Sequence, residues 1–360
     1  MNMRQKQQQV FDDSESNIIV GDVVSCPISP KQLAETTAQS EYVVETFDSG
    51  LTAEVFRIRI DNQDFTLKKR RKQAKVRNLD GHFSFLNEVQ RRADFEVIKR
   101  DQANLGCADI VNTVYADYRL GIILSDWIEG DAIEALSFSQ LERFFATLMM
   151  CEQHGLFEWD LCSGNLLVDN NGYIKLFDFG YMYPFDPKRE FNSNGVSDPL
   201  FNFCERFETR FLSGWLLEGQ YSNKEALEIF SRVRRAALKA IENKIEWLFD
   251  QGAEQHIVNY YRGLRAQFRE ALSSDEALQA CYLLSMFRSH VLDIEDDLEG
   301  KSCTPLTLKR IEVVQTTLNE HYPMLKNNGA LFYHNDGLSL EELTRQYQNK
   351  YQLAKQYQLV

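Results

Sequence analysis

Asp160, Asn165 and Asp178 are the side chains whose types and spacing best suit chemistry. They stand 5 and 13 residues apart (165−160, 178−165). An apolar run at 166–168 follows Asn165, Asp169-Asn170-Asn171-Gly172 is a turn signal, and a second apolar run at 173–177 delivers Asp178 at its end. The stretch reads as loop, strand, tight turn, strand, loop, with its polar groups emerging at one edge of a hairpin. Three ligand-type side chains so placed can converge on one metal–phosphate cluster.

Such a hairpin needs a body to hold it. From residue 41 the texture is that of strands. Residues 42–47 are β-branched and aromatic, and Asp48-Ser49-Gly50 is a turn. Val55, Phe56, Ile58 and Ile60 alternate in part with Arg57 and Arg59, and residues 64–69 make a third strand. Residues 83–100 fit an amphipathic helix with Phe85, Val89, Phe95 and Ile98 on its apolar side. Residues 110–116 and 120–124 read as two more strands. Five strands with a helix after the third predict an α+β unit with a largely antiparallel sheet.

After Asp126-Trp127-Ile128-Glu129-Gly130 the texture becomes helical. Leu141, Phe144, Phe145, Leu148 and Met149 form a buried stripe behind a capping box at Ser139-x-x-Glu142. A helix is expected over 200–217 and another over 254–272. Boxes at Ser222-x-x-Glu225, Ser273-x-x-Glu276 and Ser339-x-x-Glu342 open further helices. At the other end, residues 1–16 are polar and expected to be disordered. Residues 17–24 form a short apolar segment and 31–40 a short helix.

Composition bounds the partners. The chain has 360 residues, 44% hydrophobic and 26% charged, the balance of a soluble globular protein. Its net charge of −13 argues against nucleic acid or an anionic membrane as partner, since neither would be attracted. The run Lys68 to Lys72, with Lys75 and Arg77, is a candidate basic patch, but a solvated strand end accounts for most of it. Seven cysteines without a Cys-x-x-Cys pair read as reduced thiols, so a cytoplasmic location is expected. The Gln-rich start does not read as a signal peptide. No apolar run approaches the length of a membrane span.

The order of elements and the hairpin residues together resemble the protein-kinase-like superfamily over residues 41–180. The sequence from Glu158 to Asn165 is similar to the family's catalytic loop, His-Arg-Asp-x-x-x-x-Asn, and Asp178-Phe179-Gly180 matches its metal motif. Phe65-Thr66-Leu67-Lys68 looks like the Val-Ala-Ile-Lys element, and Glu88 lies where the family's ion-pair glutamate belongs. Gly50 and Val55 sit in a reduced version of the glycine-rich loop that begins at Asp48. Residues 123–130, with Asp126 and Ile128, resemble the hinge that holds adenine through its backbone.

The resemblance implies a bilobal α+β fold. Residues 1–40 would be an N-terminal extension, partly disordered. Residues 41–126 would form a small antiparallel-sheet lobe with one inserted helix, and 127–360 a large helical lobe. It implies ATP and Mg²⁺ as cofactors: Lys68 on the α/β-phosphates, Glu88 holding Lys68, Asn165 and Asp178 on the metal, Gly50, Val55, Asp126 and Ile128 around the nucleotide. Asp160 would orient or deprotonate a hydroxyl-bearing acceptor. Each residue alone has a plainer explanation as a turn or surface residue. Their joint occurrence in order is what carries weight.

The match is divergent. Glu158-Trp159 replaces His-Arg, Cys162 stands where serine/threonine kinases carry a lysine, and no Ala-Pro-Glu follows Gly180. Ser163-Gly164-Asn165 and Ser49-Gly50-Leu51-Thr52 look more like the aminoglycoside and choline phosphotransferases. Lys68 and Glu88 look more like protein kinases. The expectation is a phosphotransferase acting on a small-molecule hydroxyl. The alternatives are an atypical serine/threonine protein kinase and a nucleotide-binding pseudokinase scaffold. His154 reads as structural and Cys162 as a loop residue.

Overall fold

The computed structural model describes residues 1–47, 50–101, 107–219 and 221–359. It is mixed α and β, with an antiparallel sheet and many helices. The chain forms two compact units, Met1–Ile133 with Gly164–Tyr183, and Glu134–Ser163 with Pro184–Val360. Among the described residues no helix is long and apolar enough to cross a membrane.

The first unit opens with α1 (Met3–Asp12), β1 (Ile19–Gly21) and α2 (Pro30–Glu35). Then follow β2 (Val43–Phe47), β3 (Ala53–Ile60), β4 (Gln63–Arg70), α3 (Leu79–Asp101), β5 (Thr113–Asp117), β6 (Ile122–Asp126) and the short β7 (Gly130–Asp131). The main sheet runs β1-β5-β6-β4-β3-β2, antiparallel throughout. Its two faces bury different clusters. Leu33, Phe56, Ile58, Phe65, Leu67 and Leu124 lie on one side. On the other, Phe85, Leu86 and Val89 of α3 pack with Val20, Ala116, Tyr118 and Ile123.

The N-terminal residues depart from expectation. Residues 3–12 are helical, closed by a capping box between Asn2 and Gln5, and β1 adds a sixth strand by pairing with β5. The segment orders because Phe11 and Ile18 pack against the α3-side cluster, and because β1 satisfies the edge of the sheet. Arg119 then ties it down, donating to the carbonyls of Phe11 (3.0 Å), Asp12 (3.1 Å), Ser14 (2.5 Å) and Ser16 (2.8 Å). Composition alone hides this, since most of the residues are polar and only two supply the anchor. Arg119→Ala is expected to lower Tm by roughly 2–4 °C and to make residues 1–16 the first site of limited proteolysis. Cleavage there no faster than in the wild type would show that the arginine does not hold the segment.

From β7 the chain enters the second unit for α4 (Phe138–Gln153) and β8 (Leu156–Glu158), then returns to the first for β9 (Leu166–Asp169) and β10 (Ile174–Leu176). The expected hairpin is present. Leu166 pairs with Leu176 and Val168 with Ile174, and β7 adds to the outer side of β9.

The second unit continues with α5 (Phe203–Phe207), a π-helical turn at Glu208–Leu212, α6 (Ser213–Glu218), α7 (Asn223–Asp250), α8 (Gln255–Ala271), α9 (Asp275–Gly300), α10 (Pro305–Asn327) and α11 (Leu340–Gln356). The stripe Leu141, Phe144, Phe145, Leu148 and Met149 is buried as expected. The boxes at Ser222 and Ser339 cap α7 and α11. Two others move. Ser137 with Gln140 caps α4 in place of Ser139 with Glu142, and Ser274 caps α9 in place of Ser273. Both sites offer neighbouring serines with the same capping chemistry, and the tertiary position of the helix start decides between them. The helix expected over 200–217 begins at 203 because Asn202 caps it, accepting from the N–H groups of Cys204 and Glu205.

Candidate functional site

Lys68 lies on β4, a strand paired on both sides, opposite Val55 of β3 and Ile123 of β6. Strand alternation sends Leu67 into the α2-side cluster and Lys68 to the α3 side. There its ammonium is 6% exposed and needs partners. It finds Glu88 Oε1 of α3 at 2.8 Å and Asp178 Oδ2 at 2.7 Å. Burial pulls the Lys68 pKa down, but Asp178 and Glu88 outweigh it and hold it above the usual lysine value. For Asp178 burial opposes the charge, and Lys68, the Gly180 N–H and Arg92 together hold its carboxyl below the usual range.

Arg92 completes the cluster and was not among the residues singled out from sequence. It is 1% exposed, and its guanidinium reaches Glu88 Oε1 (2.7 Å), Thr113 Oγ1 (3.0 Å), Ser125 Oγ (2.8 Å) and the Phe177 carbonyl (3.1 Å). One residue thus ties α3 to β5, β6 and the strand end that bears Asp178. A usable signal was present: Arg92 is i+4 to Glu88, on the same helix face.

The backbone around Asp178 is pinned. Gly180 N–H donates to Asp178 Oδ1 at 3.0 Å. Phe179 is buried against Phe95, ring centres 4.8 Å apart, beneath Arg92. Asn87 Nδ2 lies within 3.1 Å of the carbonyls of Phe179, Gly180 and Met182. A Cβ on Gly180 would run into Ser84 Oγ, so a larger residue there would force that buried hydroxyl to rotate away. Asn165 immediately precedes Leu166, whose partner Leu176 lies two residues before Asp178. Asn165 and Asp178 therefore leave the hairpin at the same end.

The remaining expected nucleotide contacts also fall in the first unit. Asp48 and Ser49 lie outside the described residues. A Cβ on Gly50 would meet the Ala53 carbonyl oxygen. Arg71 Nε donates to the Gly50 carbonyl at 3.0 Å, and the Lys75 N–H donates to Leu51 at 2.8 Å. The basic run is thus partly spent inside the fold: Lys68 in the cluster, Arg70 over the Tyr118 ring, Arg71 on the loop. Asp126 ends β6 and is braced by Asn112. Trp127 stacks on Phe47 under Arg57. Ile128 is half-buried, and with Asn112, Asp126, Trp127, Asp169 and Lys175 it lines a hollow of about 350 Å³.

Asp160 belongs to the second unit. Its N–H donates to Glu158 Oε1 at 2.7 Å. Trp159 packs between Phe157 and Phe201 and donates to Ser193 Oγ at 2.8 Å. So Glu158 and Trp159 brace the loop by hydrogen bonding and aromatic packing. The Asp160 carboxylate receives Arg210 Nε on Oδ1 at 2.9 Å and the Cys162 thiol on Oδ2 at 3.8 Å. His154 is the C-cap of α4, as its structural reading expected.

No family model and no curated protein matches this chain.

The site must therefore be argued from its own chemistry. The first unit gathers Lys68, Glu88, Arg92 and Asp178 into a neutral, buried set with one half-buried carboxylate, and puts Asn165 at the same hairpin end. Such a set can meet an anion through Lys68 and a hard cation through Asp178. Arg210, the second residue missed from sequence, sits 50 positions beyond its partner. No periodicity links the two, so only the fold reveals it.

Proposed function

We propose that this chain is an ATP- and Mg²⁺-dependent phosphotransferase with a bilobal, protein-kinase-like architecture, moving the γ-phosphoryl group to a hydroxyl acceptor, a small molecule in preference to a protein. The observation that carries the reading is Lys68, a buried ammonium within 2.8 Å of Glu88 and 2.7 Å of Asp178. Of the two carboxylates, Asp178 keeps 32% of its side chain exposed, which suits a ligand-facing group. In this reading Lys68 meets the α/β-phosphates, while Glu88 and Arg92 hold it in place. Gly50 and Val55 flank the nucleotide, the backbone at Asp126 and Ile128 takes the adenine, and Asp160 orients the acceptor hydroxyl.

Asn165 and Asp178 would hold Mg²⁺. One carboxylate and one carboxamide are too few to cage a bare ion, and they suit a cation that keeps waters and phosphate oxygens. Bound there, Mg²⁺ neutralises phosphate charge. The preference for a small acceptor is supported by residues 184–202, which close on themselves. Buried Asn192 donates to the carbonyls of Asp198 (2.9 Å) and Phe201 (3.1 Å), which leaves little extended backbone to align a peptide.

Mg·ATP is expected to raise Tm, since a ligand at 100 times its Kd adds about 2.7 kcal/mol to the folded state. Thermal melting with and without millimolar Mg·ATP checks this, and an unmoved Tm rejects the nucleotide site. One observation favours a second reading, a nucleotide-binding scaffold without transfer: the Asp160 carboxylate is already engaged by Arg210. Turnover by Asp160 variants separates the two.

A further inference from the structure

Arg210 lies in the π-helical turn Glu208–Leu212. Such single turns change the facing of successive side chains and are frequent at functional positions. Here the turn separates two charges. Glu208, fully buried, takes Arg234 at 2.9 Å and Arg288 at 2.8 Å. Arg210 reaches Asp160 Oδ1 through Nε at 2.9 Å, pairs with Asp293 through Nη1, and lies 3.7 Å from Asp296.

Asp293 is in turn fixed from behind. Arg310 of α10, 1% exposed, holds Asp293 Oδ2 at 2.8 Å. The same guanidinium is oriented by Ser213 Oγ (2.7 Å) and His290 Nδ1 (3.0 Å). Gly214 makes room for it, since a Cβ there would lie 2.6 Å from Arg310 Nη2. A line of alternating charge, Asp160–Arg210–Asp293–Arg310, thus runs from the loop at Glu158–Cys162 to the interior of α9 and α10.

Resting on the phosphotransferase reading, we propose that Arg210 is the positioning residue for Asp160, held to that task by Asp293 and Arg310. Asp293 and Asp296 stand on one long helix, whereas Asp160 stands on a loop. The guanidinium therefore transfers the rigidity of α9 to the one carboxylate that has to point accurately. A planar fork suits this, because its geometry is set before the bond forms. With Oδ1 fixed by Arg210, the direction of Oδ2 is fixed as well. Misplacing a reacting group by about 1 Å can cost on the order of 10²-fold in rate.

The test is steady-state turnover of Mg·ATP by the full-length wild type, Arg210→Gln, Arg210→Lys and Asp293→Asn, with melting curves to confirm folding. Arg210→Gln is expected to lower kcat by roughly 10- to 100-fold with KM for Mg·ATP within about twofold. Arg210→Lys keeps the charge without the fork and should fall between it and the wild type. Asp293→Asn loosens Arg210 and should lower kcat less, but it also takes the carboxylate from buried Arg310. Arg210→Lys therefore carries the test if the neutral variants do not fold, and a folded Arg210→Lys with wild-type kcat then overturns the proposal. A folded Arg210→Gln or Asp293→Asn with wild-type kcat overturns the proposal. So does a loss confined to KM. A wild type that binds Mg·ATP without turning it over rejects the phosphotransferase reading itself, and the proposal with it.

Discussion

Glu88→Ala is expected to cost the first unit about 3–5 kcal/mol of stability, the range for removing one partner from a buried ion pair. The reason lies in the charge count of its cluster. Lys68 and Arg92 balance Glu88 and Asp178, and both cations are buried, at 6% and 1% exposure. Without Glu88, two cations share one carboxylate. Arg92 keeps only neutral acceptors, Thr113, Ser125 and the Phe177 carbonyl. Asp178→Asn should cost distinctly less, because Lys68 retains Glu88 and the Asp178 site is partly open to water. Denaturant unfolding of the two variants checks the order, and an equal or reversed cost would mean that Glu88 is not the hub.

The same cluster sets a pH dependence. The Asp178 carboxyl lies below its ordinary value, so its contribution is present above the unfolded pKa and is lost as pH falls through the folded one. Lys68 lies above its ordinary value, so its contribution is present below the unfolded pKa and is lost as pH rises through the folded one. Stability from these two groups is therefore flat between about pH 5 and pH 9, where both are charged in either state.

What sequence could and could not foresee follows from the range of the interactions. The β9–β10 hairpin was legible because its turn and its two apolar runs are contiguous, and the register follows from the turn. The buried stripe of α4 and the caps at Ser222 and Ser339 were legible for the same local reason. Lys68 and Glu88 were nominated only by the resemblance of the strand and helix that carry them to the kinase-like pattern, and the structure brings the two side chains together. The N-terminal helix was not legible, since its stability comes from Arg119, Tyr118 and the β5 edge, a hundred residues away. Arg210 was hidden in the same way. An arginine in a mostly apolar helical stretch reads as surface until Asp160, Asp293 and Asp296 are seen around it.

Asp160→Asn is expected to reduce Mg·ATP turnover by about 10²–10⁴-fold, the usual contribution of a positioned general base, while the affinity for Mg·ATP stays within about threefold. The nucleotide contacts assigned to Lys68, Asn165 and Asp178 all lie in the first unit, so the substitution leaves them untouched. It should also leave the second unit folded. Asparagine keeps an oxygen for Arg210 Nε, and Arg210 retains Asp293 and Asp296 as counter-charges. No buried cation is orphaned, in contrast to Glu88→Ala, so Tm should fall by no more than a few degrees. That contrast makes the experiment decisive between enzyme and scaffold. A scaffold has no use for the Asp160 charge beyond the ion pair, and its residual ATP hydrolysis would be the same in wild type and variant. An enzyme loses the group that aims the acceptor hydroxyl while keeping its fold and its nucleotide. Turnover and binding titration on the same preparations read both quantities, and equal turnover in the two proteins would remove Asp160 from the chemistry.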